Sequence, residues 1–375
     1  MTDTSPTPRR RARRSTAVPT AQPAPLAAGD KRQLDLALQG GGSHGAFTWG
    51  VLDRLLDEEW LEVAAISGTS AGAMNAVVLA SGLMDGGRTG AQRALHRFWQ
   101  RVAQLSPFQG LPGASPDHPL TRWAAPWLEP MQQAATLWSG QFSPYQFNPL
   151  NLNPLRDVLN DTVDFERVRS CHKTMLFISA TQVRTGALRV FDQRVLSADV
   201  VMASACLPQL FQAVDIDGEA YWDGGYAGNP SLLPLITESP ADDLLLVQIN
   251  PIERASVPTS VGDILDRVSE ITFNASLIKE LRSLALLQEL LIDEVEPGHC
   301  FRHPLLRRVQ ALRTHLLDGG EALVSLGAKT KTQTHWPFLQ RLHRLGRAAA
   351  DRWLAEHGGA IGQRSTYHLH QVLAP

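Results

Sequence analysis

Short apolar runs that end at a glycine alternate along the first part of the chain with longer segments in which apolar residues recur at helical spacing. The first pattern occurs at Leu34 to Gln39 and Val63 to Ile66 and predicts buried strands. The second occurs at Ala46 to Trp60 and Ala71 to Ser81 and predicts helices. A repeated order of strand, glycine turn and helix is typical of a parallel sheet covered by helices. We therefore expect an α/β fold.

Strand-like runs return later in the chain, at Met175 to Ala180, Leu188 to Phe191 and Leu244 to Asn250. Residues 95–150 interrupt the rhythm, because aromatic residues are scattered there among Pro and Gly. Two interpretations of this insert remain open: a lid or acyl-chain pocket that docks on a lipid surface, and a helical cap packed on the core.

The chain becomes helical in pattern from about residue 261, with a last helix expected at roughly Pro337 to Ala355. Leucines and one valine recur at helix spacing in two sets, which predict helix packing or an oligomer face: Leu281, Leu284, Leu287 and Leu291; Leu305, Val309, Leu312 and Leu316. We expect three regions: a tail over 1–32, an α/β domain over 33–250 that includes the insert, and a helical C-terminal region over 251–375.

The composition is that of an ordinary globular protein, with 375 residues, 43% apolar and 19% charged. A net charge of −2 argues against nucleic acid as a partner. Three widely spaced cysteines, Cys171, Cys206 and Cys300, predict neither a disulfide framework nor a zinc site, and free thiols suit the cytoplasm. We expect no metal or cofactor, and no membrane span because no apolar run is long enough.

The first 32 residues carry seven Lys or Arg against two Asp, whereas the rest of the chain is acidic. A basic stretch rich in Pro, Ala and Thr buries too little apolar surface to fold, so we expect disorder. It lacks the apolar core of a signal peptide. A solvated tail is one interpretation, and attraction to anionic lipid, giving a peripheral contact with a membrane or lipid surface, is the other.

The sequence Gly68-Thr69-Ser70-Ala71-Gly72 has the form G-x-S-x-G and lies between a predicted strand and a predicted helix. That is the context in which this motif presents a nucleophilic serine on a sharp turn. The small residues let strand and helix approach closely, and the helix N-terminus favours developing negative charge. A turn rich in Gly and Ser without chemistry is the alternative.

A second glycine-rich turn, Gly40-Gly41-Gly42-Ser43-His44-Gly45, also follows a strand and opens a helix. Glycine backbones allow amides to approach a ligand oxygen, so this turn could form an oxyanion hole. The dinucleotide-binding alternative lacks its acidic residue after the second strand, and a phosphate-binding loop lacks its Gly-Lys-Ser/Thr ending. Adjacent parallel strands would bring both turns to one edge of the sheet.

A serine nucleophile needs a proton acceptor, and two routes are open from the residues alone. No histidine has a recognisable catalytic setting; His118 and His172 lie in ambiguous surroundings. Direct abstraction by a carboxylate is the other route, for which Asp223-Gly224-Gly225 is a candidate. As a bare tripeptide it is equally typical of a hairpin turn.

Taken together and in this order, the GGGSHG, GTSAG and DGG elements resemble those of the patatin-like phospholipase family, as do residues 203–211 before DGG and Asn229-Pro230 after it. The resemblance covers roughly residues 34–250. It implies a three-layer α/β/α sandwich and a Ser70–Asp223 dyad in place of a triad. It also implies oxyanion-hole amides at Gly41 and Gly42, with Gly40 and Gly45 completing that motif and Gly68, Gly72, Gly224 and Gly225 supporting the turns.

One position departs from the family pattern, since His44 stands where many members have Arg or Lys. We expect His44 to be only partly charged near neutral pH, which weakens the case for a phospholipid head group but not for ester hydrolysis. The resemblance predicts serine-dependent hydrolysis of lipid acyl esters. A short-chain or storage-polyester esterase and a non-catalytic lipid-binding protein are the alternatives.

Overall fold

The computed structural model describes residues 31–105, 143–293 and 301–372. Within these residues one sheet of eight strands forms the centre of the fold. The strands are β1 (Arg32–Leu38), β2 (Leu61–Gly68), β3 (Met175–Gln182), β4 (Leu188–Asp192), β5 (Val214–Ile216), β6 (Glu219–Asp223), β7 (Asp243–Gln248) and β8 (Arg313–Asp318).

The strand order is β5-β6-β3-β2-β1-β7-β8, with β4 also paired to β3. The pairs β3–β2, β2–β1, β1–β7 and β7–β8 are parallel, whereas β4, β5 and β6 run antiparallel to their neighbours. The mostly parallel α/β sheet predicted from the sequence is therefore confirmed. Because β1 and β2 are parallel neighbours, the turns that follow them meet at one edge of the sheet, as expected.

Helices cover both faces of the sheet. The described helices are α1 (Gly45–Leu55), α2 (Ala71–Gln104), α3 (Pro144–Phe147), α4 (Pro154–Thr162), α5 (Phe165–Arg169), α6 (Ala198–Ser204), α7 (Leu233–Glu238), α8 (Val261–Asp293), α9 (Pro304–Ala311), α10 (Gly320–Val324) and α11 (Trp336–His357). None of the described helices is both long and apolar enough to cross a bilayer.

Alternation along the strands divides the apolar core into two layers. On β1, Leu36 and Leu38 belong to one buried cluster, which α1, α2 and α11 complete. Ala37 points the other way, into a second cluster with residues of α7 and α8. This period of two is what a strand buried on both faces produces. It gives the three-layer α/β/α sandwich that the family resemblance implied.

Helix α2 extends well beyond the predicted Ala71 to Ser81. Gly86 and Gly87 have non-helical backbone angles, so a kink divides α2, and its second part runs on to Gln104. Trp99 is buried in this second part rather than belonging to an irregular insert. Most of the predicted lid or cap, including Phe108, Trp123, Trp127, Trp138 and Phe142, lies outside the described residues, as do most of the basic tail and Cys300.

The C-terminal region supplies helices, as predicted, and also a strand that the leucine spacing did not predict. Leu305 and Val309 lie on the short helix α9, but Leu316 lies on β8, so the expected single helix through Leu316 is wrong. Pairing with β7 decides this outcome, because β8 completes backbone hydrogen bonds along the sheet edge. Leu281 and Leu284 of α8 are buried, which fits the helix-packing alternative, whereas Leu287 is 41% exposed.

The register of β3 determines where β6 ends. Ile178 of β3 pairs with Gly68 of β2 on one side and with Phe191 of β4 on the other. Two residues further on, Ala180 pairs again with β4 but has Asp223 of β6 on its other side. Strand β6 therefore lies on the same side of β3 as β2 and directly beyond the end of β2. This arrangement brings the end of β6 to the turn that contains Ser70.

Candidate active site

Ser70 lies at the junction of β2 and α2, in the sharp turn that the G-x-S-x-G pattern predicts. Its backbone has φ 54° and ψ −120°, a conformation that is unusual and strained for a residue with a side chain. The turn holds this conformation because the Ser70 amide donates to Ser204 Oγ at 2.9 Å and the Met74 amide donates to the Ser70 carbonyl at 3.0 Å. Ser70 is partly exposed, so its side chain remains accessible.

Close packing explains the glycines on either side of Ser70. A Cβ on Gly68 would lie 2.8 Å from the carbonyl carbon of Gly72, and a Cβ on Gly72 would overlap the Leu38 carbonyl oxygen. Both contacts are with backbone, which cannot swing aside. The strand and helix of this elbow therefore approach too closely for any side chain at these two positions.

The glycine-rich turn after β1 lies against the Ser70 elbow. A Cβ on Gly40 would be 2.7 Å from Ser70 Cβ. The Gly40 amide donates to Asn229 Oδ1 at 2.7 Å, and the Gly45 amide closes a 3-10 turn onto the carbonyls of Gly42 and Ser43. Among the described residues, the amides of Gly41 and Gly42 have no acceptor. These two amides remain as donors for an oxygen of a ligand.

Asp223 ends β6 and is followed by a 3-10 turn, Gly224–Tyr226. The hairpin turn of this strand pair lies instead at Asp217 and Gly218, so DGG is not the hairpin. The Asp223 carboxyl lies close enough to the Ser70 side chain for that side chain to lower its pKa, and its Oδ1 accepts from the Gly225 amide at 2.7 Å. The fold thus brings Ser70 and Asp223 together.

Burial controls the ionisation of Asp223, whose exposed fraction is 1%. Loss of hydration raises the pKa of Asp223 from 3.8 to about 7, against the opposing effects of hydrogen bonds from Gly225 and Ser70. The neighbouring Cys206 is also buried. Its burial is the larger cause and the negative charge of Asp223 the smaller cause that raise the pKa of its thiol to about 12. A carboxyl with a pKa near 7 can exchange a proton readily at neutral pH.

Glycines also fix the approach to Asp223. A Cβ on Gly224 would overlap the carbonyl oxygen of Ser179, and a Cβ on Gly225 would overlap the ring of Phe273. The Phe273 ring comes from α8, outside the motifs, and it also packs against Tyr226 with ring centroids 5.0 Å apart. The C-terminal region therefore forms part of the wall around Asp223.

The expectation that the His44 imidazole is partly charged near neutral pH is wrong. Its ring is 2% exposed and its Nε2 is 2.7 Å from Thr330 Oγ1. Burial, followed by the nearby positive charge of Lys331, lowers the pKa of His44 to about 4. The imidazole is therefore neutral at pH 7. No histidine among the described residues perturbs the Asp223 carboxyl, so the triad alternative gains no support.

Four residues that hold these turns were not assigned roles from the sequence: Ser204, Asn229, Asn250 and Lys331. Ser204 and Asn229 belong to stretches that carried the family resemblance, so the motif context was the available signal. Asn250 lies two residues after the end of β7, at the same edge of the sheet as the two glycine turns. Lys331 lies in a polar segment with no strand or helix pattern, and nothing in its local sequence distinguishes it.

The described residues also form a cavity of about 480 Å³ beside α8 at the end of β7 and β8. Ile249, Asn250 and Tyr367 are among its lining residues, whereas Ser70 and Asp223 are not. The cavity therefore gives no support for an acyl-chain site next to Ser70.

The fold and the site define an α/β/α sandwich protein with a serine on a strand–helix elbow beside a buried carboxyl. The family model for patatin-like phospholipases matches residues 36–236, and the chain belongs to that family. Membership implies lipid acyl hydrolase activity.

Among solved structures, the chain is similar to VipD from Legionella pneumophila, with 14% identity, a TM-score of 0.39 and coverage of 90% of this chain and 70% of that chain. It is also similar to a chain of the SpcU–ExoU complex from the type III secretion system of Pseudomonas aeruginosa, with 13% identity, a TM-score of 0.25 and coverage of 92% and 76%. A search of curated proteins found no match.

Proposed function

We propose that this protein hydrolyses acyl esters of lipids, with Ser70 as nucleophile, Asp223 as the proton acceptor and the amides of Gly41 and Gly42 as the oxyanion hole. The observation that carries the proposal is the proximity of the partly exposed Ser70, on its strained elbow, to the buried Asp223 carboxyl, whose pKa the Ser70 side chain lowers. Membership of the patatin-like phospholipase family supports the substrate class.

In the proposed reaction, the Asp223 carboxylate accepts the Ser70 proton as Ser70 Oγ attacks the ester carbonyl carbon. The carbonyl oxygen becomes an oxyanion and accepts hydrogen bonds from Gly41 and Gly42. The intermediate collapses to an acyl-serine, and the alcohol or lysolipid leaves with the proton from Asp223. Asp223 then accepts a proton from water as that water attacks the acyl-serine, and it returns the proton to Ser70 Oγ as the fatty acid leaves.

The proposed oxyanion hole contains the amides of Gly41 and Gly42 only, because the amides of the other two motif glycines already donate hydrogen bonds within the protein. Gly40 donates to Asn229 and Gly45 donates within its own 3-10 turn. These glycines serve the motif by allowing close packing, since a Cβ on Gly45 would lie 2.6 Å from Ala71 Cβ.

The test measures hydrolysis of p-nitrophenyl esters of increasing acyl length and of phospholipid vesicles by the full chain. Ser70→Ala should abolish turnover, and Asp223→Asn should lower kcat by about a hundredfold or more, because a general base contributes roughly 10² to 10⁴. A fluorophosphonate probe should label the wild type and not Ser70→Ala.

Matched controls are Ser170→Ala and Asp215→Asn, which change exposed residues away from the elbow and should retain wild-type rates. Full activity in either Ser70→Ala or Asp223→Asn would refute the dyad. A preference for short acyl chains would favour the short-chain or polyester esterase instead. Absence of both ester hydrolysis and Ser70 labelling would favour a lipid-binding protein without catalysis.

We include in the proposal a peripheral contact with a lipid surface. A hydrolase that acts on aggregated lipid must reach the surface, and the basic stretch over 1–32, with seven Lys or Arg against two Asp, favours anionic lipid.

A further inference from the structure

The segment Ala328–Thr332, a 3-10 turn far from the glycine motifs in sequence, lies directly on the glycine-rich turn. The Thr330 hydroxyl is 2.7 Å from His44 Nε2. The Lys331 carbonyl oxygen occupies the space that a Cβ on Gly42 would fill. Gly42 has φ +58° as well, so both conformation and contact require glycine there. The family model matches residues 36–236, so this covering segment comes from outside the matched region.

A chain of hydrogen bonds connects Lys331 to the backbone of the turn. Lys331 Nζ donates to Asn250 Oδ1 at 2.7 Å, and Asn250 Nδ2 donates to the Gly40 carbonyl at 2.7 Å. On its other side, Gly40 donates its amide to Asn229 Oδ1 at 2.7 Å. Gly40 is therefore held by two asparagine side chains.

Asn250 is also held in place by hydrogen bonds to residues other than Gly40. Gln39 Oε1 accepts from the Ile249 and Asn250 amides, each at 3.0 Å, and Gln39 Nε2 donates to Asn274 Oδ1 at 3.1 Å. Both Gln39 and Asn250 are buried. A buried and fully bonded amide network holds its members in one orientation.

The Gly40 carbonyl and the Gly41 amide belong to the same peptide unit. A hydrogen bond to the carbonyl oxygen polarises that unit and makes its N–H a stronger donor. The Lys331 ammonium adds charge at the start of this chain, and charge-assisted bonds are stronger than neutral ones. The Gly41 amide is one of the two donors in the proposed oxyanion hole.

The positive charge near this turn comes from Lys331 and not from the motif itself. His44, at the position where many family members have Arg or Lys, is neutral because its pKa is lowered to about 4. Burial lowers the pKa of Lys331 overall and the positive charge of Arg254 adds to this shift, whereas the negative charges of Glu270 and Asp266 oppose it. Glu270 in turn is paired with Arg254 and Arg267. The cation thus sits in a buried charge network contributed by the C-terminal region.

We propose that Lys331 and Asn250 are positioning residues of the oxyanion hole: Asn250 orients the Gly40–Gly41 peptide, and Lys331 supplies through it the positive charge that His44 does not. This inference rests on the proposed function. It makes the C-terminal region part of the catalytic unit, since the turn that stabilises the transition state is completed by residues beyond the matched family region.

The first test compares Lys331→Met, Lys331→Arg and Asn250→Ala with Lys173→Met in the full chain. Lys173 is a matched control because it also donates to a partner, the Leu83 carbonyl at 3.0 Å, away from Ser70. Removal of one oxyanion donor lowers kcat by roughly 10² to 10³, and weakening it should lower kcat by about tenfold. We expect this loss in Lys331→Met and Asn250→Ala with KM changed by less than about twofold, because the oxyanion forms only in the transition state.

Lys331→Arg keeps the charge and should retain kcat within about threefold of wild type. A purely structural role would lower the melting temperature and kcat of Lys331→Arg and Lys331→Met alike. Wild-type kcat in Lys331→Met, measured while Ser70→Ala is inactive, would overturn the inference and leave the proposed function standing.

The second test does not require turnover. Amide hydrogen exchange over residues 39–45 should be faster in Lys331→Met and Asn250→Ala than in wild type and Lys173→Met, because the turn loses its restraint. Unchanged exchange would overturn the positioning role. A wild type that neither hydrolyses esters nor reacts with a fluorophosphonate would instead refute the proposed function, and exchange would still decide whether Lys331 restrains the turn.

Discussion

The ionisation of Asp223 should determine the pH dependence of acylation. Burial raises the pKa of this carboxyl to about 7, and only the deprotonated form can accept the Ser70 proton. With that pKa, about 9% of Asp223 is deprotonated at pH 6 and about 91% at pH 8. The acylation rate should therefore rise about tenfold between these values and then reach a plateau.

Two groups near the site, His44 and Cys206, do not titrate in the same interval. The pKa of His44 is lowered to about 4, so its ring is already neutral at pH 6. The pKa of the Cys206 thiol is raised to about 12, so it stays protonated at pH 8. A rise centred near pH 7 that is lost in Asp223→Asn would therefore report on Asp223 and not on His44 or Cys206.

The assay follows the rate of Ser70 labelling by a fluorophosphonate together with kcat/KM for a p-nitrophenyl ester, from about pH 5 to about pH 9 at constant ionic strength. Circular dichroism at each pH checks that the fold is retained. Cys206→Ala and His44→Gln should leave the midpoint unchanged, because neither group ionises in this interval. Asp223→Asn should remove the pH-dependent rise along with most of the activity.

A flat profile, or a midpoint near 4, would refute the reasoning. Either result would mean that Asp223 ionises like an exposed carboxyl, so that burial does not control its proton affinity. A midpoint that moved in His44→Gln would assign the titration to the glycine turn instead.

Two further predictions concern stability and the N-terminal region. Burial also raises the pKa of Asp35 from 3.8 to about 7, so this group favours folding at low pH and the benefit is lost as pH rises from about 4 to about 7. Asp35→Asn should therefore raise the free energy of unfolding in urea by up to about 4 kcal/mol at pH 8 and by less at pH 5, and an equal effect at both would contradict this. Deletion of residues 1–30, with their five arginines, should weaken binding to anionic vesicles by about tenfold at low salt and less at high salt; unchanged binding would exclude a lipid role for this stretch.

Local sequence was sufficient for the features that depend on neighbouring residues. The strands around Leu36 and Ile66, and the turns after them, were predicted because burial on both faces gives continuous apolar runs and because close backbone approach requires glycine. The Ser70 elbow is of this kind, since Gly68 and Gly72 allow its packing within a few residues of the serine itself.

Strand β8 and the full length of α2 were not predicted, because their causes lie outside the local pattern. The spacing of Leu312 and Leu316 fits a helix, yet β8 forms because the edge of β7 offers unpaired backbone groups. In α2, two adjacent glycines interrupt the helix without ending it, since the second part is held by burial of Trp99 and its neighbours.

The sequence by itself determined the α/β layers, the serine elbow and the glycine-rich turn, because each follows from the period of apolar residues or from sterics within one turn of chain. Only the tertiary structure decided that Asp223 lies beside Ser70, that the pKa of Asp223 is near 7, and that Lys331 lies beside the glycine-rich turn. Asp223 is separated from Ser70 by about 150 residues and reaches it through the register of β3. The burial and the electrostatic environment of a side chain depend on residues from distant parts of the sequence, as Lys331 lowers the pKa of His44, so the local sequence does not predict them.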